Sequence, residues 1–205
     1  MNIKEIYTNL LLEVGFSPNE INSLWLDLEK VYSKKLRYYH NLTHLEEMVF
    51  WFSKYKEKLQ QPNEVLFSIF YHDFVYKVTR KDNELKSAEY AVGLLKSNYQ
   101  LNKQLVFDLI VATQFHQHNE NEDCNWLIDF DLKILSKDWE DYKIYFQQIR
   151  KEYNIYPDFL YNPGRKKALE HFLANKNIYQ TQEFRTLFED KARENIIREI
   201  QELET

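Results

Sequence analysis

Apolar residues along this chain recur at intervals of three and four, the spacing that lines one face of an α-helix. Leu45, Met48, Val49 and Phe52 form such a face and predict a helix from Leu42, capped by Asn41, to about Glu57. Ser17-Pro18-Asn19-Glu20 combines an N-cap serine, a proline at the first helical position and a glutamate that completes a capping box, so a helix is expected from Pro18 towards Lys34. Another starts near Pro62 and carries Val65, Leu66, Ile69 and Phe70 as far as His72 and Asp73. Further helices are expected over Asn83 to Lys96, Asn102 to Phe115 and Cys124 to Leu135, then through Tyr153, over Arg165 to Ala174 and over Gln182 to Leu203. Tyr156-Pro157 and Asn162-Pro163-Gly164 read as turns. With only three glycines and four prolines to interrupt 205 residues, the pattern predicts an all-α fold in one helical domain, its core near residues 37–135 and the helices of 136–205 packed on it.

Several polar residues fall on the apolar faces. His44 precedes Met48 by one helical turn. Val65-Ile69-His72 and Leu66-Ile69-Asp73 both run along the inward side of their helix, and Thr113 and His116 extend the face of Val106, Leu109 and Ile110. Asp131 belongs to the stripe Leu127, Ile128, Asp131, Leu135, while Asp129 lies about 160° away around the same helix. A carboxylate taken from water without a partner costs several kcal/mol, so inward acids are paired, hydrogen-bonded or bound to metal. One core histidine is ordinarily satisfied by a carbonyl. Two inward histidines with two inward aspartates point instead to a shared divalent cation, held by His44, His72, Asp73 and Asp131. This mixed nitrogen and oxygen set suits manganese, iron, nickel, cobalt or zinc better than calcium or magnesium.

Composition narrows the remaining classes. Hydrophobic content of 44% excludes disorder, and no apolar run is long enough to cross a bilayer. A formal charge of −5 argues against broad attraction to nucleic acid, although it leaves room for a compact anionic ligand. The single cysteine, Cys124, and the lack of a secretory pattern in the first fifteen residues predict a soluble cytoplasmic protein. Oligomeric state is not encoded in any motif.

The ordered motifs Arg37-Tyr38-Tyr39-His40-Asn41-Leu42-Thr43-His44, Phe70-Tyr71-His72-Asp73, Asp82-Asn83-Glu84 with Ser87-Ala88, Thr113-Gln114-Phe115-His116 and Asp129-Phe130-Asp131-Leu132 resemble the HD superfamily of metal-dependent phosphohydrolases. More narrowly they are similar to a bacterial branch of predicted HD-superfamily hydrolases, with a looser likeness through Ile149-Arg150 and Arg165 to Ala192-Asn195. The resemblance implies a helical bundle around a metal held by His44, His72-Asp73 and Asp131, with Asp129 as the rival for the last ligand. It implies hydrolysis of a phosphate ester or anhydride in a nucleotide or another small phosphorylated metabolite. Glu84 and Asp129 are then the expected proton-handling residues, and Arg37, His40, Asn83 and His116 the expected substrate contacts. As structural residues, Asn83 and Glu84 also suit an ordinary helix start. Two other classes remain open at this point: a nucleotide-sensing module without turnover, and a helical adaptor whose inward His and Asp residues form only a polar network.

Overall fold

The computed structural model describes residues 2–204, and among them there are ten α-helices and no strand. They are α1 (Ile3–Glu13), α2 (Pro18–Tyr32), α3 (Leu42–Tyr55), α4 (Pro62–Tyr71), α5 (Asn83–Leu94), α6 (Lys103–Ala112), α7 (Glu122–Leu132), α8 (Trp139–Glu152), α9 (Asp158–Ala174) and α10 (Gln182–Leu203). Short 3-10 turns follow α3 at Lys56–Lys58 and α7 at Lys133–Ser136. The all-α expectation therefore holds, and local capping explains the starts. The Ser17 hydroxyl accepts from the Glu20 amide while the Glu20 carboxylate accepts from the Ser17 amide at 2.9 Å, the reciprocal pair expected of a capping box. Asn41, Asn102, Asn121 and Thr181 cap α3, α6, α7 and α10 with a side-chain oxygen that accepts from a first-turn amide.

Two elements depart from the periodic reading. Helix α1 was not expected; it is capped by Asn2 and buries Ile3, Tyr7, Leu10 and Leu11. Gly15, at φ +105°, turns the chain out of it in a conformation that a side chain rarely adopts. The second departure is Asn162-Pro163-Gly164, expected as a turn, which lies inside the 17-residue α9. A proline there removes one amide hydrogen bond and crowds the preceding turn. The helix nevertheless continues because its neighbours hold it on both sides: Tyr161 and Leu169 are buried, and the Arg165 side chain between them is fastened to α10.

Helices α4 and α7 occupy the centre. Every residue from Glu64 to Tyr71 is buried in α4, and every residue from Asp123 to Phe130 in α7, as expected of helices surrounded on all sides. Around α4 pack α1, α3, α5, α6 and α7, while α10 closes the opposite end against α8, α9 and the turn after α7. One hydrophobic core runs continuously from Ile3 to Ile196, so the C-terminal helices share it rather than forming a separate unit. This arrangement brings the N-terminal turn of α3, the C-terminal end of α4 and the last turn of α7 to one place. Among the described residues no helix is long and apolar enough to cross a membrane.

Candidate metal centre

His44, in the first turn of α3, His72, capping α4, and Asp131, at the end of α7, converge so that one ligand atom from each lies within 4.8 Å of the others. His44 Nε2 is 3.3 Å from His72 Nε2 and 3.2 Å from Asp131 Oδ1, and His72 Nε2 is 3.9 Å from that same oxygen. Asp73 borders the group rather than completing it, with Oδ2 3.1 Å from His72 Nε2. Three of the four expected ligands thus face one another, and the fourth adjoins His72.

The protonation pattern of His72 tests whether a cation suits this place. Its Nδ1 lies 2.9 Å from the Ile69 carbonyl, which can only accept, so Nδ1 carries the proton and the neutral ring presents a bare Nε2 lone pair to Asp73, Asp131 and His44. A lone pair facing carboxylate oxygens is repulsive unless positive charge stands between them. Burial pulls the His72 pKa down, but Asp73, then Asp131 and the Ile69 carbonyl, more than offset it and leave it at about 9. Burial likewise raises Asp131, yet His116, His44 and His72 hold its carboxyl well below the usual range. Asp73 is also lowered, by His72 and His40 against the effect of its own burial. The site therefore favours a positive charge, carried either by protons or by a divalent ion. The donor set fits a borderline metal: two imidazole nitrogens and nearby carboxylates, one imidazole already oriented by a carbonyl.

A cavity of about 670 Å³ opens onto the cluster, and His40, His72, Asp73, Glu84, His116 and Asp131 are among its walls. His116 follows α6 in the left-handed region, at φ +51°, a strained position for a residue with a side chain. Gln180 Nε2 donates to its carbonyl at 3.0 Å, and its own Nε2 reaches Asp131 Oδ2 at 3.2 Å. His40 is fastened by Nδ1 to Glu152 Oε2 at 2.6 Å and stacked on Tyr76, leaving Nε2 3.9 Å from Asp73. Glu84, in the first turn of α5, faces the cavity with its pKa raised by burial.

Three expected roles do not match their surroundings. Asp129 is fully buried and is not part of the cavity wall. Its oxygens accept from the Gln180 amide at 2.6 Å, the Thr181 amide at 2.7 Å and the Thr181 hydroxyl at 2.6 Å, so it anchors the start of α10 instead of handling substrate protons. It is buried more fully than Asp131 because α7 is enclosed on all sides from Asp123 to Phe130. Arg37 also lies outside the cavity: its guanidinium donates to the His40 and Phe74 carbonyls and packs over the Tyr32 and Tyr76 rings. Asn83 lines the cavity, but both ends of its amide are spent on the Lys77 backbone, at 3.0 Å each.

Two groups at the site were missed by periodicity. Glu152 accepts from the Tyr39 and His40 amides at 2.8 and 3.0 Å, from His40 Nδ1 and from the Tyr76 hydroxyl at 2.9 Å, pinning the segment that leads into His44. Glu199 is paired with Arg165, which lines the cavity. A signal existed for Glu152, which extends the stripe Tyr142, Tyr145, Ile149 at helical spacing in the way that Asp131 extends its own. No family model, curated protein or solved structure matches the chain.

Proposed function

We propose that this protein is a metal-dependent phosphohydrolase acting on a small phosphorylated metabolite. The observation that carries the reading is the convergence of His44, His72 and Asp131 beside a cavity that His72 and Asp131 line, with Nδ1 of His72 committed to the Ile69 carbonyl so that Nε2 is the nitrogen facing the other two. The ordered motifs that resemble the HD superfamily support the same reading independently of the geometry.

His44, His72 and Asp131 would hold the ion, with Asp73 beside them as the fourth donor. A divalent cation in such a set acidifies water and offsets charge that develops on a phosphoryl oxygen. Of the chain's own groups, Glu84 is the one suited to exchange a proton with a bound molecule, because it faces the cavity and burial brings its pKa upwards from the ordinary glutamate range. His116 fixes Asp131 from the cavity side, and His40 presents Nε2 to a ligand while Glu152 prevents the ring from turning away. A cavity of about 670 Å³ suits a metabolite-sized molecule.

The test is elemental analysis of the purified protein, before and after incubation with manganese, nickel and zinc, followed by a phosphatase screen over nucleotides and sugar phosphates. Metal-dependent release of phosphate that vanishes in Asp73→Ala is the expected result. Full activity of that variant after exhaustive chelation rejects the mechanism, saturable binding without product points to a sensor, and a chain that takes up no metal points to an adaptor.

A further inference from the structure

Since Arg37 is spent elsewhere, an anion in the cavity must meet its fixed positive donor on another wall. The cavity is lined by Arg80, Lys81 and Arg165. Arg80 closes its fork on Asp82 at 2.8 and 3.0 Å, and Lys81 is an exposed side chain. Arg165 differs from both. Its side chain is only 13% exposed, and it is clamped on the buried Glu199 through Nε at 2.7 Å and Nη2 at 3.1 Å, with Nη2 also 3.4 Å from the Tyr145 hydroxyl. Glu199 is itself held by the Tyr142 hydroxyl at 2.5 Å. The remaining guanidinium nitrogen, Nη1, makes no hydrogen bond among the described residues and is not sealed from solvent.

A guanidinium immobilised on two of its nitrogens and open at the third loses little side-chain freedom when it binds an anion. Its position is tied to the metal centre through two rings: the guanidinium lies 5.5 Å from the Tyr145 ring, that ring 4.7 Å from Tyr39, and Tyr39 4.8 Å from His44. We propose that Arg165 is a substrate-contact residue, donating through Nη1 to an anionic oxygen of the molecule bound in the cavity, with Glu199 and Tyr142 as its positioning residues. The phosphohydrolase reading names that anion as the substrate's phosphate, whereas the subsite itself is independent of whether the protein turns anything over.

The probe is methylenediphosphonate, a pyrophosphate analogue that resists hydrolysis, titrated calorimetrically into the full chain with and without manganese. Arg165→Gln alone strands a buried Glu199 charge, so the decisive variant is Arg165→Gln/Glu199→Gln, in which two amides replace the ion pair; its helical signal and melting are checked alongside. About a tenfold or greater loss of diphosphonate affinity, with manganese uptake unchanged, is expected from removal of one charge-assisted hydrogen bond. Tyr142→Phe should give a smaller loss in the same direction, and Arg165→Lys should not restore binding, since an ammonium cannot keep the fork on Glu199. Wild-type affinity in the double variant, or no diphosphonate binding by the wild type under either condition, overturns the proposal. Failure of the metal reading is seen separately, as absence of manganese uptake by the wild type.

Discussion

Asp129 and Asp131 are two residues apart on one helix, and replacing each by alanine separates structural anchoring from ligand binding. Asp129→Ala leaves two backbone amides and the Thr181 hydroxyl without an acceptor in a fully buried place. An orphaned buried donor costs about 1–3 kcal/mol, so the three together are worth roughly 3–5 kcal/mol once water entering the vacated space relieves part of the penalty. For a chain of this length each kcal/mol moves the melting temperature by about 2–4 °C, which places the expected drop near roughly 10 °C. Asp131 contrasts with it: its side chain is 18% exposed, and its partners are the rings of His44 and His116. Asp131→Ala should abolish tight manganese binding, whereas Asp129→Ala should retain it below its melting transition. The assay is a urea and thermal melt of both variants in chelator, paired with manganese titration well below the melting transition. A wild-type melt for Asp129→Ala, combined with loss of manganese binding, would refute the assignment of Asp129 as the anchor of α10.

Three further outcomes follow from the same contacts. Glu152→Ala removes the acceptor for four donors, so stability should fall by about 2–4 kcal/mol, read as a shift in urea midpoint; an unchanged midpoint would mean that the segment before His44 is held by other contacts. His72→Ala should retain the helical circular dichroism yet bind no manganese in elemental analysis, and stoichiometric metal in that variant would exclude it as a ligand. In the metal-free protein the His72 pKa is raised from 6.5 to about 9, so the stability it contributes is complete below pH 6.5 and is lost as pH rises through 9. Denaturation in chelator between about pH 6 and about pH 9.5 should show that decline, with manganese diminishing it by replacing the proton; a flat profile in His72-containing protein would argue against the buried charge.

The sequence alone determined where helices form and which chemical groups they turn inward. Capping and three-and-four periodicity are local, acting over a few residues, and so the helices from Pro18 onward, apart from the first half of α9, and the inward settings of His44, His72 and Asp131 were legible without the fold. Tertiary structure decided which inward group does what. A single apolar stripe separates inside from outside only on a helix with a solvent face; α7 has none from Asp123 to Phe130, so Asp129 is buried while Asp131 borders the cavity, and the role of Asp129 is set by the start of α10, some fifty residues further along the chain. Arg37 was lost to the site through the Phe74 carbonyl and two tyrosine rings, and Glu152 and Arg165 were brought to it by α8 and α9. Hydrogen-bonding capacity belongs to the residue, but the partner that consumes it is fixed only when distant segments pack together, and that packing put Arg165 rather than Arg37 in the cavity wall.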